Sequence, residues 1–316
     1  MFDKLAKHLS AKDIASFRYG EWLTLGAAAL LSYGLWYAAC KLVGLPAVAG
    51  HSTLLLGDAP LYGIVVIALA WPIIALISTL LAGTVRGDAG VFAASLGLLY
   101  LPTHGGDSRD ALLDAGGAPA VYVRMAVELA ILGAVAVAVV VGITRLLQKS
   151  VSTAPARGLD LPAEHTAAHE FHPDHPRPDT LADRLTTVFG QALATLVFAI
   201  FLVPTPLKGQ AIVGIFAAAM LAAMLSHYLY GVRNATWYVA GTVVAGLAGY
   251  VYNFASPTAT AIGDAKGLLA GPARVLPLHY ATLGVAGAIF GYWCATTWKV
   301  QAKRKQQEEA AASSAG

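Results

Sequence analysis

The sequence predicts an all-α polytopic integral membrane protein, a bundle of eight transmembrane helices arranged as a 4+4 tandem repeat. Three observations carry that reading. Of the 316 residues, 57% are hydrophobic and only 12% charged, about half the charge of an ordinary soluble domain. The deficit is concentrated in separate apolar runs, most of them long enough to cross a hydrocarbon core of ~30 Å. Finally, Leu112–Gly142, LLDAGGAPAVYVRMAVELAILGAVAVAVVVG, returns in altered form as Leu268–Gly291, LLAGPARVLPLHYATLGVAGAIFG. Each copy opens on Leu-Leu, passes a small-residue turn ending in Pro-Ala, and enters a long helix rich in Ala and Gly.

Residues 1–21 form an amphipathic N-terminal segment. Phe2, Leu5, Leu9, Ile14 and Phe17 share one helical face, and Lys4, Lys7, Lys12 and Arg18 lie opposite, as in a helix resting on the inner membrane surface. A frayed charged tail is the alternative. The segment lacks an apolar stretch with a small-residue cleavage site, so no cleavable signal peptide is expected.

The first half, 22–148, holds spans Trp22–Gly44, Leu61–Gly83, Val91–Leu101 and Val121–Leu147. Pro72 removes a backbone donor from the second and predicts a kink beside Trp71. The third run is short. Stretched from Ala89 to Thr103 it covers about 22 Å as a helix, and on its own it reads as re-entrant as readily as spanning. A polar, His- and Pro-rich linker follows at 149–183, with Pro155, Pro162, Pro173, Pro176 and Pro178 and no capacity for a core. The second half, 184–300, holds Leu185–Val203, Ala211–Tyr230, Trp237–Phe254 and Pro277–Lys299. The tail, 301–316, is expected to be disordered beyond its first turn or two.

Charge decides the third run in favour of crossing. With eight spans, one side holds Lys4, Lys7, Lys12, Arg18, Arg86, Arg145, Lys149, Arg157, Arg177, Arg184, Arg233, Lys299, Lys303, Arg304 and Lys305. The other keeps Lys41, Arg109, Arg124, Lys208, Lys266 and Arg274. Fifteen against six is the asymmetry of a cytoplasmic face, which places both termini inside the cell (inner) membrane. The repeat agrees, because Ser78–Arg86 is echoed by Ser226–Arg233 and the following apolar run ends at Pro102 in one half and Pro257 in the other. Four helices per half give the halves a common orientation about an axis along the membrane normal. Small residues at four-residue intervals predict the packing faces: Ala134, Ala138 and Gly142 on the fourth helix; Ala218, Ala222 and Ser226 on the sixth; Gly241, Ala245 and Gly249 on the seventh; Gly287 and Gly291 on the eighth.

Ionisable residues within spans are functional candidates by default. Glu128 lies seventeen residues from Arg145, about 25 Å along the helix and therefore near the outer interface. Arg124, one turn earlier, is positioned to pair with it. His279 has a comparable depth, and His104 follows the third run on the same side. Arg124, Glu128, His279, Tyr280 and His104 are therefore the candidate substrate-binding residues of an outer vestibule. The plainer alternative is an ion pair that snorkels to the headgroups with histidines nearby. At mid-depth the polar groups are Ser32, Tyr33, Ser95, Thr195 and Thr242, with Trp71 at the kink and no charged residue. That disfavours a proton pump or voltage sensor and leaves a pathway for a neutral solute.

In the linker, His165, His169, His172 and His175 are candidate ligands for a weakly held divalent metal, although the intervening prolines oppose a closed tetrahedral site. Otherwise no cofactor is expected. Haem needs histidines facing each other across helices; His227 has no helical partner and His104 sits in a Thr-His-Gly-Gly loop. Cys40 and Cys294 fall near opposite faces and are not expected to pair. No phosphate loop, Gly-x-Ser-x-Gly or His-Glu-x-x-His motif is present, so no enzyme is expected, and the small net charge of +3 gives no nucleic-acid footprint. The partners expected are the lipid bilayer and other membrane subunits. The functional reading is a permease-like protein that passes or holds a small uncharged solute or lipid between two repeated halves. A non-catalytic scaffold subunit of a larger membrane complex is the alternative, and a haem-bearing redox subunit the third.

Overall fold

The computed structural model describes residues 19–43, 53–56, 60–83, 86–114, 119–153, 179–205, 207–256 and 271–315. All regular structure among them is helical. In chain order the elements are α1 (Tyr19–Leu42), a 3₁₀ turn (Leu54–Leu56), α2 (Pro60–Ala82), α3 (Ala89–Gly97), α4 (Tyr100–His104), α5 (Ser108–Asp114) and α6 (Val121–Thr153). They continue as α7 (Leu181–Leu202), α8 (Lys208–Tyr230), α9 (Ala235–Ala255), a second 3₁₀ turn (Gly271–Arg274), α10 (Pro277–His279), a π turn (Tyr280–Gly284) and α11 (Val285–Ala315). The amphipathic segment before Tyr19 and the linker histidines lie outside the described residues.

Five helices are long and apolar enough to cross a membrane, as a multi-pass membrane protein requires: α1, α2, α6 over Val121–Leu147, α7 and α8. Several ends are set by local chemistry. At the start of α7 the Thr180 hydroxyl accepts from the Asp183 amide at 3.2 Å, and the Asp183 carboxylate accepts from the Thr180 amide at 2.9 Å, a reciprocal cap. Asn234 caps α9 through the Thr236 amide at 2.9 Å. Gly231 ends α8 at φ 69°, a left-handed conformation that glycine adopts without steric penalty. Helix α2 runs through Pro72.

The third apolar run differs from a full span. Ala89–Gly97 is nine residues, followed by a tight turn at Leu98–Leu99 and the five-residue α4. The whole stretch, Ala89–His104, is a short apolar helix, whereas α9 in the position of its proposed counterpart is 21 residues long. Small residues make α3 possible. A Cβ on Gly97 would lie 2.4 Å from Ser32 Cβ, and one on Gly90 would lie 2.5 Å from the Thr79 backbone, so α3 sits wedged between α1 and α2. Trp36 Nε1–H donates to Ala94 O at 3.2 Å across that joint.

Two further expectations are revised. The stripe Ala134, Ala138 and Gly142 is not the packing face of α6: Ala134 and Ala138 are exposed, and Gly142 has nothing within 4 Å of where its Cβ would sit. The buried face is instead Leu129, Leu132, Gly133, Ala136, Val139 and Ile143; Gly133 on it meets α9, where a Cβ would lie 2.4 Å from Val243 Cγ1. The stripes on α8, α9 and α11 are buried as expected. At the C-terminus, helix α11 continues to Ala315, where the composition of the tail predicts disorder.

Of the polar residues that the sequence places at mid-depth, Ser32, Ser95, Thr195 and Thr242 are buried, while Tyr33 is 40% exposed. The sequence reading passed over Gln191, which is fully buried and joins three helices. Its Nε2 lies 3.1 Å from Thr242 Oγ1 on α9, 3.2 Å from Ala219 O on α8 and 3.3 Å from Thr195 Oγ1 on α7. Gly241 lets α9 close directly on it, since a Cβ there would lie 2.5 Å from Gln191 Cβ. Hydrogen bonds between helices in lipid are worth roughly 1–2 kcal/mol or less. Replacing Gln191 with alanine is therefore expected to lower stability by about 1–2 kcal/mol, read as a lower thermal midpoint in detergent.

Candidate functional site

The amino-terminal turns of α6 and the π turn before α11 lie at the same end of the bundle, and α10 packs directly on α6. Glu128, two turns into α6, points inward and is fully buried. Its Oε2 accepts the Leu55 N–H at 3.1 Å, so the Leu54–Leu56 turn rests on the carboxylate. The Leu54 amide and the Thr53 hydroxyl also lie beside the carboxylate, although Oε1 makes no hydrogen bond of normal geometry among the described residues.

His279 is 1% exposed. The chain enters α10 through Pro277 at the first helical position, where a missing N–H does no harm. The Leu276 N–H donates to His279 Nδ1 at 3.3 Å. An Nδ1 that accepts places the ring proton on Nε2, and Nε2 has no partner among the described residues. One end of the bundle thus holds a buried carboxylate oxygen and a buried imidazole donor, each with unused hydrogen-bonding capacity.

The next five residues form a π turn, a local widening that recurs at functional sites because it re-aims side chains. Tyr280 O–H donates to Pro272 O at 3.0 Å, and Tyr250 O–H donates to Val275 O. Two phenols thereby clamp the Gly271–Arg274 turn. The rings run in series: Tyr122 and Tyr250 centroids are 6.4 Å apart, Tyr250 and Tyr280 6.2 Å. Tyr250 lies within electrostatic reach of Glu128, Tyr280 and Tyr122. A Cβ on Gly246 would fall 2.4 Å from Leu129 Cδ2 and 3.0 Å from the Tyr280 ring, so this glycine is what allows α9 to approach both.

Of the expected vestibule residues, Glu128, His279 and Tyr280 come together on packed elements. Arg124 does not join them. It is exposed while Glu128 is buried, and among the described residues no ion pair links the two. The carboxylate turns inward to the Leu55 amide, and the long arginine stem reaches away from it. His104 is exposed at the rim, with its ring 4.5 Å from Tyr100 and its Nδ1 2.7 Å from Tyr100 O. Lys208, at the start of α8, donates to Gly105 O and to Thr103 O, tying the end of α4 to α8. Tyr250 and Tyr122 are members that the sequence reading missed; their signal was tyrosine on helices otherwise built of Ala, Gly and Val.

His227, weighed above against haem, hydrogen-bonds within its own end of the bundle. Tyr238 O–H donates to Val232 O at 2.6 Å, and His227 Nδ1 lies 2.9 Å from the same phenol oxygen. Cys40 and Cys294 are free thiols. No protein-family model, curated protein or solved structure matches the chain.

Proposed function

We propose that this is a permease-like membrane protein that passes or holds a small uncharged polar solute, or a lipid headgroup of that character, between two repeated halves. The observation that carries the reading is the pair of buried, unpartnered polar atoms, Glu128 Oε1 and His279 Nε2. A buried polar atom without a partner costs free energy. A neutral solute offering one donor and one acceptor removes that cost at both atoms without bringing an ion into the bilayer.

The packing supports a doubled architecture. Helix α6, the last of the first half, packs on α9, and the π turn and α11, the last of the second, pack on α3. Likewise α6 packs on α2 as α11 packs on α8. This exchange is what a two-fold relation between halves produces, with α3 as the shortened counterpart of α9 and eight crossings in all. On this reading the basic residues set the Arg86 end in the cytoplasm, with both termini, and the Glu128 end outside.

The test is osmotic swelling of proteoliposomes in glycerol or urea. The protein is expected to accelerate swelling, and the Glu128→Leu, His279→Leu double variant to swell at the rate of empty liposomes. If both proteins leave the rate at that of empty liposomes, the permease reading fails. Membrane subunits that co-purify in mild detergent would then favour the scaffold reading.

A further inference from the structure

The opposite end of the bundle holds a second cluster, which that reading does not use. Arg86 and Asp88, in the connection between α2 and α3, lean on two consecutive aromatics of α11. The Arg86 guanidinium lies 5.6 Å from the Tyr292 ring centroid and 5.4 Å from that of Trp293. Its Nε is 3.6 Å from Asp88 Oδ1, and its Nη1 is 3.4 Å from Thr296 Oγ1. Trp293 Nε1–H donates to Asp88 Oδ1 at 2.9 Å. On the other side Tyr292 O–H donates to Arg233 O, and its ring stacks on Tyr238 at 5.4 Å and meets His227 edge-on at 5.3 Å. One aromatic pair therefore receives both repeat-related connections, the one bearing Arg86 and the one bearing Arg233.

We infer that Arg86 and Asp88 form a latch that closes this end between the halves by gripping Tyr292 and Trp293, and that it opens on the Arg86 side. The two sides of the aromatic pair are unequal. The Arg233 side adds a buried aromatic stack and a Tyr292 hydrogen bond to backbone beside the charges of Arg233 and Asp179, and is expensive to separate in a dry environment. The Arg86 side is held by charge at the water boundary, with Arg86 and Asp88 side chains 19% and 14% exposed. Cation–π contacts and ion pairs at such partly hydrated positions are weak, so this side parts first. The latch stands whether or not a solute binds at the Glu128 end, and either idea can fail alone.

The chain carries its own reporter. It has two cysteines: Cys294, half-buried beside Trp293 and within electrostatic reach of Arg86, and Cys40, buried in α1. The experiment follows maleimide modification of each thiol by mass spectrometry, in the full-length protein in liposomes. Arg86→Ala and Asp88→Asn are each expected to raise the Cys294 rate by about tenfold, the factor that ~1.4 kcal/mol produces, with Cys40 unchanged and Arg86→Lys intermediate. An unchanged Cys294 rate in both variants overturns the latch. So does a rise at Cys40 in step with Cys294, because the two residues would then hold the fold together rather than one closure.

Discussion

Leucine at both Gly287 and Gly291 is expected to leave little folded protein. Helix α11 meets α8 backbone to backbone at these positions. A Cβ on Gly291 would lie 2.1 Å from Met220 O, and one on Gly287 would lie 2.3 Å from Phe216 O. Both obstacles are carbonyl oxygens held in the α8 ladder, so no rotamer change clears them. The helix must move out bodily. That motion would pull Trp293 and Phe290 off Phe92, from ring separations of 4.9 and 6.0 Å, and Gly284 away from Thr242, 3.2 Å from its would-be Cβ. Overpacking costs typically 1–3 kcal/mol per site, and lipid offers no hydrophobic drive to hold the parted helices together. The double variant should lose roughly 3 kcal/mol or more, seen as a collapse of the monodisperse fraction on size-exclusion chromatography. Gly142→Leu is the matched control. Nothing lies within 4 Å of its would-be Cβ, and it should behave as the unaltered protein.

Glu128→Lys is expected to be nearly as damaging, and Glu128→Gln nearly silent in stability. Position 128 is fully buried, and its carboxylate accepts the Leu55 N–H. Lysine would replace that acceptor with an ammonium facing an amide donor, with no carboxylate bonded to position 128 among the described residues. Leaving a charge buried and unpaired costs about 3–5 kcal/mol. Glutamine keeps an oxygen for Leu55 and the shape of the side chain, so its cost should stay within ~1 kcal/mol. Thermal midpoints of the two variants in the same detergent check the ranking. If lysine is tolerated, residue 128 reaches water, and Glu128 is not the dry, buried group that the proposed solute contact requires.

Membrane character was legible because it rests on composition and run length, which lipid enforces without regard to tertiary detail. Packing faces were legible in the small-residue stripes of α8, α9 and α11, where Ala218, Ala222, Ser226, Gly241, Ala245, Gly249, Gly287 and Gly291 are buried. They were misread on α6. Ala134 and Ala138 follow the same four-residue rule, but in a bilayer alanine is as acceptable against lipid as against protein, so spacing alone does not say which way it faces. Glu128 and His279 stand out in the sequence because ionisable groups within apolar helices are few, and both are buried. Gln191 carries no charge to mark it in an apolar helix, although its amide bridges three helices. The Arg124–Glu128 pairing failed for a different reason. Helical spacing brings two side chains to neighbouring surface positions, but the Leu55 amide, seventy-three residues upstream, competes for the carboxylate, and no local rule anticipates that partner.

The burial of α3 also orders events during biosynthesis. A nine-residue helix is too short to be retained by lipid as a stable insert of its own. Its neighbours on one side, α1 and α2, are made before or with it, but Phe290 and Trp293, which cover Phe92, leave the ribosome about two hundred residues later. Until α11 arrives, Phe92 lacks these two covering rings, so this contact closes late and over a long range of sequence.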